Sequence, residues 1–476
     1  MKRPKFLAIL LFILTLVLAT CTGTNLDLPT PSQVDDGVFR IWWSRGHYPE
    51  EDEALEEIIA RWQSDREERG EPALEVELSF YSIEDIQGKS KIAVKAGNPP
   101  DILFSSQTDL ILGESWAADG ILADVSDVIE PVKDLYSSSA LKAAYFYNNV
   151  TKRGSYYGVP IYQQTHHLHY WRDLLAEVGF SEKDIPKDWN GFWEFWQEAG
   201  DALGDRRGED FYAMGFPMSA ASVDTYFTFE QILEAYDVEI VGQASPLSND
   251  RSGELLLDRA DIREKAIAAL EWYVSLYQNG YVPPDALKWL AADNNVSFLN
   301  REVLIGANPS LSIPGSQRED EDIYRNKMAT IELPNEPDGE PPTYLVTVKT
   351  IVAFAASKHQ EAAKDFLSYL VEPERLGFYV KGSLGRWFPV MPQLLADSFW
   401  QDKSDPHISV ASEQFLEGKT RPFYQSLNPA YSQVSEENVW GQAMSRVIVD
   451  GLSPTEATDE AIGRIKEIFA GWSSSE

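Results

Sequence analysis

Strand-like and helical segments alternate through the part of the chain that follows Gly37. Val38–Trp43 has the composition of a buried strand, Glu50–Glu68 places its apolar residues at helical spacing, and Leu74–Leu78 alternates between apolar and charged residues. This order predicts an α/β body with a largely parallel sheet, because parallel strands need helical crossovers. With 476 residues, the chain is too long for one ordinary domain, and we expect two or three.

The alternation continues further along the chain with a larger share of helix. Tyr156–Tyr170 is strand-like, Asp210–Gln278 is mostly helical, and Phe298–Gly306 begins as a helix end and turns into a strand. Thr343–Phe354 is a further strand and precedes a helical segment. No internal repeat is visible, which argues against a solenoid or propeller.

The N-terminus has the layout of a secretory signal. Lys2, Arg3 and Lys5 precede an uncharged, almost wholly apolar run, Phe6–Thr20, and Cys21 follows at once. The run is short for a bilayer-spanning helix, so we predict a signal peptide over residues 1–20. Cys21 is the only cysteine, which excludes an internal disulfide framework and thiolate-rich zinc or iron–sulfur sites.

The position of Cys21 indicates a lipid anchor. Leu18–Cys21 resembles the bacterial lipobox, in which the cysteine is lipidated, although Thr20 stands where Gly, Ala or Ser is usual. Residues 21–37 are polar, contain two prolines and predict a flexible tether. We therefore expect an extracytoplasmic protein anchored to the cell membrane through Cys21. The alternative is a plain signal peptide beside an incidental cysteine.

The charge balance limits the classes of partner. The chain carries 75 acidic and 41 basic side chains, a formal net charge of −34. Binding to phosphate backbones and anionic membrane surfaces is driven by Lys and Arg, so nucleic acid is not an expected partner. The acidity favours a neutral ligand over an anionic one.

Six segments resemble, in order, the extracellular solute-binding proteins of bacterial ABC importers (family 1, the sugar-binding class). Each motif is short, but together they span nearly the whole chain after the tether. They are Ala96–Phe104, Trp116–Val125, Tyr156–Pro160 with Tyr170–Leu174, Pro186–Trp189, Phe298–Ala307 and Phe354–Leu367.

This resemblance implies a two-lobe periplasmic-binding-protein-like fold of type II, with discontinuous α/β lobes and a hinge between them. The first lobe would comprise residues 38–160 plus 343–376, and the second residues 161–342 plus 377–476. The ligand would lie in the cleft between the lobes, since pockets form preferentially at domain interfaces and at the carboxyl ends of strands. Closure about the hinge is then the expected motion.

The function implied by the resemblance is capture of a sugar or oligosaccharide and its delivery to the ABC permease. Such a protein would be a monomeric lipoprotein that performs no chemistry and needs no cofactor. Two alternatives stay open: a solute-binding protein for a non-sugar ligand, and an extracytoplasmic carbohydrate-processing enzyme. Acidic residues are plentiful enough for a catalytic carboxylate pair, but the chain has no GxSxG elbow, phosphate-binding loop or dinucleotide fingerprint.

Candidate ligand-binding residues in the first lobe follow predicted strands. Arg45 and Trp43 come at the end of the first strand, and Gln107 and Asp109 follow the strand that ends at Phe104. The resemblance implies ligand contacts at both places and also at Gln164, where the chain passes between lobes and relatives often carry a carboxylate. Packing is the competing interpretation for Trp43, and helix capping for Asp109.

The remaining candidates combine aromatic faces, which suit the CH surfaces of sugars, with polar groups that suit hydroxyls. Each aromatic among them could instead belong to the core. The turn at Asn308 lacks the Trp that relatives place there, which puts a maltose-like stacking platform in doubt. These candidates are Asp224, Tyr226, Trp289, Asn308, Arg386, Trp387 and Trp440.

A histidine-rich stretch offers a metal site as a further alternative. His166, His167 and His169 are half of all histidines in the chain. On a strand, His167 and His169 would share one face and His166 would point to the other. No further ligand set at metal-binding spacing accompanies them, so we predict no metal.

Overall fold

The computed structural model describes residues 37–105, 112–208, 210–242 and 253–473. The predicted signal peptide, Cys21, and the candidates Gln107 and Asp109 lie outside the described residues. The predicted tether likewise lies outside them, except for Gly37.

The described strands form one seven-stranded sheet, one four-stranded sheet and a separate hairpin. In chain order they are β1 Val38–Ser44, β2 Glu75–Tyr81, β3 Ile102–Phe104, β4 Tyr145–Asn148, β5 Arg153–Tyr156, β6 Val159–Thr165, β7 His167–Trp171, β8 Tyr212–Gly215, β9 Val303–Asn308, β10 Met328–Ile331, β11 Thr343–Ala353, β12 Phe388–Pro389 and β13 Lys419–Pro422.

Helices surround both sheets, and none in the described part of the chain is long and apolar enough to cross a membrane. The α-helices are Pro49–Glu68, Ile83–Lys95, Gly113–Ala118, Ser126–Ile129, Ser138–Ala144, Arg172–Glu177, Trp189–Arg207, Val223–Ala235, Ala260–Gln278, Asp293–Leu299, Ser312–Gly315, Gln360–Leu370, Pro373–Gly382, Ser398–Gln401, Ile408–Leu416, Ala430–Glu436, Val439–Ile448 and Pro454–Ser473.

The larger sheet is mixed rather than largely parallel. Its order is β12-β6-β11-β3-β1-β2, with β13 beside β11. β1 is parallel to β2 and β3, as the alternation of strands and helices predicts. However, β11 is antiparallel to both β3 and β6, and it follows all four strands of the smaller sheet in the sequence.

The smaller sheet has the order β10-β7-β9-β8. β7 is antiparallel to both of its neighbours, whereas β8 runs parallel to β9. The strand β8 lies within the stretch that the sequence predicts as mostly helical. It is only four residues long, and its buried residues Ala213 and Met214 are compatible with either structure.

The two sheets are joined by short crossings of the chain. β6 ends at Thr165 in the larger sheet and β7 begins at His167 in the smaller one, so a single residue separates them. Residues 332–342 make the return crossing from β10 to β11. Here Gln231 of the helix Val223–Ala235 donates to the carbonyl of Thr343 at 2.8 Å and accepts from the amide of Leu345 at 2.9 Å.

Each sheet has its own hydrophobic core. One cluster surrounds the smaller sheet and another the larger sheet, which makes two lobes of mixed α/β structure. The core of the larger sheet also includes residues from Tyr379 to Ala411, beyond the predicted boundary at residue 376. Packing therefore groups this segment with the first lobe, while the predicted division of the chain stays a prediction.

Candidate ligand-binding cleft

The loop after β1 presents Tyr48 and Glu51 at the carboxyl end of that strand. Pro49 opens the following helix, and the acidic residues of its first turn are favourable beside the positive helix N-terminus. Two of these carboxylates hold the loop in place, because Glu51 accepts from the amide of His47 at 3.2 Å and Asp52 from that of Gly46 at 2.8 Å.

A second loop brings Arg386 and Trp387 to the same place. Leu384 and Gly385 both have left-handed backbone conformations, with φ of 54° and 88°, which reverse the chain after the helix Pro373–Gly382. The hydroxyl of Ser383 accepts from the amide of Trp387 at 3.2 Å and donates to the carbonyl of Val380 at 2.7 Å. The direction of both side chains is therefore fixed by the backbone of the turn.

Trp387 forms one wall of the site with Tyr162 from β6. Their rings are stacked, with centroids 4.8 Å apart and planes inclined by 11°. The indole N–H of Trp387 also donates to Oε2 of Glu51 at 3.2 Å. The stacked rings of Trp387 and Tyr162 therefore lie next to the acidic first turn of the helix Pro49–Glu68.

Arg386 is the cation at the centre of this group. Its guanidinium lies over the ring of Trp387, 4.4 Å from the centroid, and faces the carboxylates of Glu51 and Asp224. The side chain is partly exposed, yet its Nε is buried and has no hydrogen-bond partner among the described residues. An unpartnered buried N–H is costly, which makes this atom available to a ligand.

Asp224 reaches the group from the second lobe. It lies in the first turn of the helix Val223–Ala235 and accepts a hydrogen bond from the backbone N–H of Ala292. Burial raises the pKa of Asp224 to about 6, against the opposing effect of Arg386. Ala292 itself has a left-handed φ of 74°, a conformation that few non-glycine residues adopt and that is enriched at binding sites.

Gln164 lies two residues beyond Tyr162 on β6 and therefore on the same face of the strand. Its side chain is buried, and Oε1 has no partner among the described residues. An amide offers both a donor and an acceptor to a hydroxyl group. This candidate lies one residue from the crossing between the lobes.

The two lobes touch directly around these groups. Gly315 of the second lobe packs against the tip of Tyr48, and a Cβ at that position would overlap the tyrosine hydroxyl. Elsewhere along the interface, the hydroxyl of Ser432 donates to Glu114 at 3.2 Å, and Lys91 pairs with Glu436 at 3.8 Å. In this structure the lobes therefore meet across the cleft at these points.

All five predicted aromatic contacts are buried members of a hydrophobic core, and Trp387 differs from the other four in lying against Arg386. Trp43 belongs to the core of the first lobe, where it donates to the hydroxyl of Tyr379 at 3.1 Å. Tyr226, Trp289 and Trp440 belong to that of the second lobe. Residue type alone does not show whether an aromatic ring lies in the core or lines the cleft, because both environments favour aromatic rings.

Two predicted polar contacts are engaged within their own lobes. Arg45 is exposed and pairs with Asp52 at 3.0 Å. Asn308 is buried, and its side-chain oxygen accepts from the amide of Ser310 at 3.0 Å, so that it shapes the turn after β9. The structure brings together Asp224, Arg386 and Trp387, places Gln164 on the same strand face as Tyr162, and leaves these two outside that group.

The sequence analysis missed Tyr48, Glu51 and Tyr162. A signal for the first two was present, because Pro49 and the acidic residues after it mark a helix N-terminus directly behind a strand. Tyr162 could have been found from its spacing to Gln164 on a strand.

The histidines of β7 and the residue before it are buried beside the crossing. His167 and His169 lie on one face, with ring centroids 6.3 Å apart, and His166 contacts Thr228 at 3.1 Å on the other side. Burial lowers the pKa of both His166 and His167 to about 3. Among the described residues, no group of three or more His, Cys, Asp or Glu side chains has the arrangement of a metal site.

Comparisons with known proteins agree with this fold. The profile of the bacterial extracellular solute-binding protein family matches residues 66–408. No curated protein sequence matches the chain.

Similar solved structures cover almost the whole fold. An ABC transporter solute-binding protein from Thermotoga lettingae bound to α-D-tagatose has a TM-score of 0.68 at 19% identity, covering 90% of this chain and 99% of its own. The sugar-binding protein MalE of Xanthomonas citri has a TM-score of 0.67 at 19% identity, with coverages of 92% and 99%. UgpB of Mycobacterium tuberculosis, in complex with glycerophosphocholine, has a TM-score of 0.67 at 18% identity, with coverages of 92% and 99%.

Proposed function

The chain belongs to the family of bacterial extracellular solute-binding proteins, and we propose that it captures a saccharide between its two lobes for delivery to an ABC permease. The family is one of binding proteins, so the proposed cycle makes and breaks no covalent bond. The solute enters an open cleft, is enclosed by both lobes, and is released when the closed protein meets the permease.

The observation that carries the saccharide proposal is the group around Arg386. A partly exposed guanidinium, whose Nε has no hydrogen-bond partner among the described residues, lies against the ring of Trp387 and interacts electrostatically with the carboxylates of Glu51 and Asp224. Sugars match this combination, because their CH faces pack on aromatic rings while their hydroxyls both donate and accept hydrogen bonds. Two carboxylates against one guanidinium favour a neutral ligand over an anionic one.

The cleft supplies a physical reason for ligand-driven closure. Asp224 belongs to the second lobe, whereas Glu51 and Tyr162 belong to the first. A ligand that bonds to groups on both sides binds the closed form more tightly than the open one and shifts the population towards it. Only the closed form would then present both lobes to the permease in the correct spacing.

The test is a binding screen by thermal shift and calorimetry with tagatose, maltose, maltotetraose and glycerophosphocholine. We expect a saccharide to raise the melting temperature, since a ligand that binds only the native state stabilises it. Arg386→Ala should weaken that binding by more than tenfold, whereas Arg61→Ala, which removes an exposed arginine on the helix Pro49–Glu68, should not. A shift with glycerophosphocholine alone would contradict the saccharide assignment and leave the solute-binding role in place.

We also propose that the mature protein is held at the outer face of the cell membrane by lipidated Cys21. The family is extracellular, and the sequence before Cys21 has the pattern of a lipoprotein signal. Two or more acyl chains anchor a protein stably, whereas one does not. Cys21→Ser should therefore move the protein from the membrane fraction to the soluble extracytoplasmic fraction, and an unchanged distribution would contradict the anchor.

A further inference from the structure

A groove of ≈ 790 Å³ lies between the lobes, and none of the residues that we place around Arg386 lines it. The first lobe contributes the helix Gly113–Ala118 and the β4–β5 hairpin. The second contributes the residues before the helix Ala430–Glu436 and part of the C-terminal helix Pro454–Ser473. Its volume is in the range of pockets that hold small molecules.

Aromatic rings from both lobes line this interlobe groove. Tyr145 and Tyr147 are two residues apart on β4 and share one face of the strand. Phe469 and Trp472 are three residues apart on the C-terminal helix and share one face of it. All four side chains line the groove and are partly exposed.

The polar side chains of the groove are held in position before any ligand arrives. The indole N–H of Trp472 donates to Gln433 at 3.2 Å, and Gln433 in turn donates to Glu437 at 2.8 Å. Arg464 pairs with Glu437 at 2.8 Å and with Glu467 at 2.9 Å. Because these groups are already ordered, a ligand loses less conformational entropy of the protein on binding.

The charges of the groove indicate the class of ligand. Among the described residues that line the groove, Arg464 is the only one with a cationic side chain, and it is already paired with carboxylates. Glu114, Asp119 and Glu467 make the lining acidic, which disfavours anions. Aromatic faces beside amides and carboxylates suit a neutral polyhydroxylated molecule.

We propose that this groove is a second saccharide-binding site and that its occupancy favours the closed lobes. The coupling to closure rests on the proposed function, since it requires the lobes to open and close. The coupling follows from the residues that line the groove. A ligand in contact with β4 and with the C-terminal helix gains its full set of contacts only when the lobes are together.

The test compares two variants of the full-length mature protein in titrations with maltose and maltotetraose. Trp472→Ala with Tyr147→Ala removes an aromatic face from each side of the groove, and Arg386→Ala disables the centre of the cleft. We expect the groove variant to lose about tenfold in affinity for maltotetraose, or to lose one of two binding events. Trp472→Phe keeps a ring at the same position and should retain that binding, which separates ligand contact from a loss of packing.

The outcomes distinguish the two proposals. If Arg386→Ala retains a weaker saccharide site that the groove substitutions then abolish, the second site is established. If the groove substitutions leave the affinity and stoichiometry of both sugars unchanged while Arg386→Ala removes binding, the groove proposal is wrong and the proposed function stands. If the unsubstituted protein binds neither of these sugars nor any other saccharide, the proposed function fails on its own evidence.

Discussion

Glu230 is a carboxylic acid held wholly inside the second lobe. Its Oε1 accepts a hydrogen bond from the hydroxyl of Tyr431, which in turn accepts from the indole of Trp440, whereas Oε2 has no partner among the described residues. Burial raises the pKa of Glu230 to about 8. The folded protein therefore holds a proton on this group at neutral pH that the unfolded chain releases.

The pH dependence of stability follows from that difference. The pKa of Glu230 is higher in the folded protein than in the unfolded chain. The stabilisation that comes from the proton on Glu230 is therefore fully present below the ordinary pKa of 4.5 and is lost as the pH rises through about 8. At pH 7 the loss amounts to about 3 kcal/mol. Glu230→Gln removes the titration, so we expect the variant to be more stable than the original protein at pH 7 to 9 and similar to it at pH 4 to 5, measured by urea unfolding.

A matched control for this experiment is Glu56→Gln, which removes an exposed carboxylate on the helix Pro49–Glu68. Its unfolding curves should follow those of the original protein at every pH. Parallel pH profiles for the original protein and Glu230→Gln would show that Glu230 is not protonated in the fold.

At the residue scale, the sequence predicted the chemical type of the site residues better than it predicted where each side chain lies in the fold. Arg386, Trp387 and Asp224 were predicted and lie together in the structure. Trp440 was predicted on the same grounds and is buried against the ring of Phe229. Both indoles are buried, so the outcomes differ in what each ring meets, the guanidinium of Arg386 for Trp387 and the core ring of Phe229 for Trp440, and residue type alone does not indicate that neighbour.

Among the elements, the turn that carries Arg386 and Trp387 depends on one glycine. Gly385 has a φ of 88°, where a Cβ is unfavourable, and that Cβ would also overlap Ile408. We expect Gly385→Ala to lower the free energy of unfolding by about 1 to 2 kcal/mol. It should also weaken ligand binding, because the stack of Trp387 on Tyr162 is set by this turn. Thermal unfolding and calorimetry measure the two effects.

Gly463 provides the matched control, since it lies inside the C-terminal helix with open space around its Cα. Gly463→Ala should raise stability by about 0.5 to 1 kcal/mol, because alanine loses less backbone entropy in a helix. Equal effects of the two substitutions would mean that the turn at Gly385 tolerates a side chain.

Elements with local signals were predicted well, and long-range pairings were not. The helix Pro49–Glu68 matches the segment Glu50–Glu68 that was predicted from its apolar spacing. The helix Gln360–Leu370 was likewise predicted. The antiparallel placement of β11 between β6 and β3 was not, because its partners lie far away in the sequence and the local pattern of β11 allows either direction.

At the scale of the whole molecule, the closed arrangement depends on the absence of a side chain at Gly315. The tip of Tyr48 in the first lobe occupies the space beside Gly315 in the second, and any Cβ there would overlap the tyrosine hydroxyl. The two residues belong to different lobes, so a side chain at position 315 should resist closure without disturbing either core. Its effect would then appear in ligand binding and in molecular shape rather than in the folding of one lobe.

Gly315→Val is the substitution that tests this dependence. We expect small-angle scattering to show that the variant stays more extended than the original protein at saturating ligand. The affinity should fall by about tenfold, equivalent to about 1.4 kcal/mol. Removing the opposing ring as well, in Tyr48→Ala with Gly315→Val, should restore the compact shape. If Gly315→Val closes as fully as the original protein, the lobes do not meet at Tyr48 in the bound state, and the arrangement of the lobes described above is not the ligand-binding form.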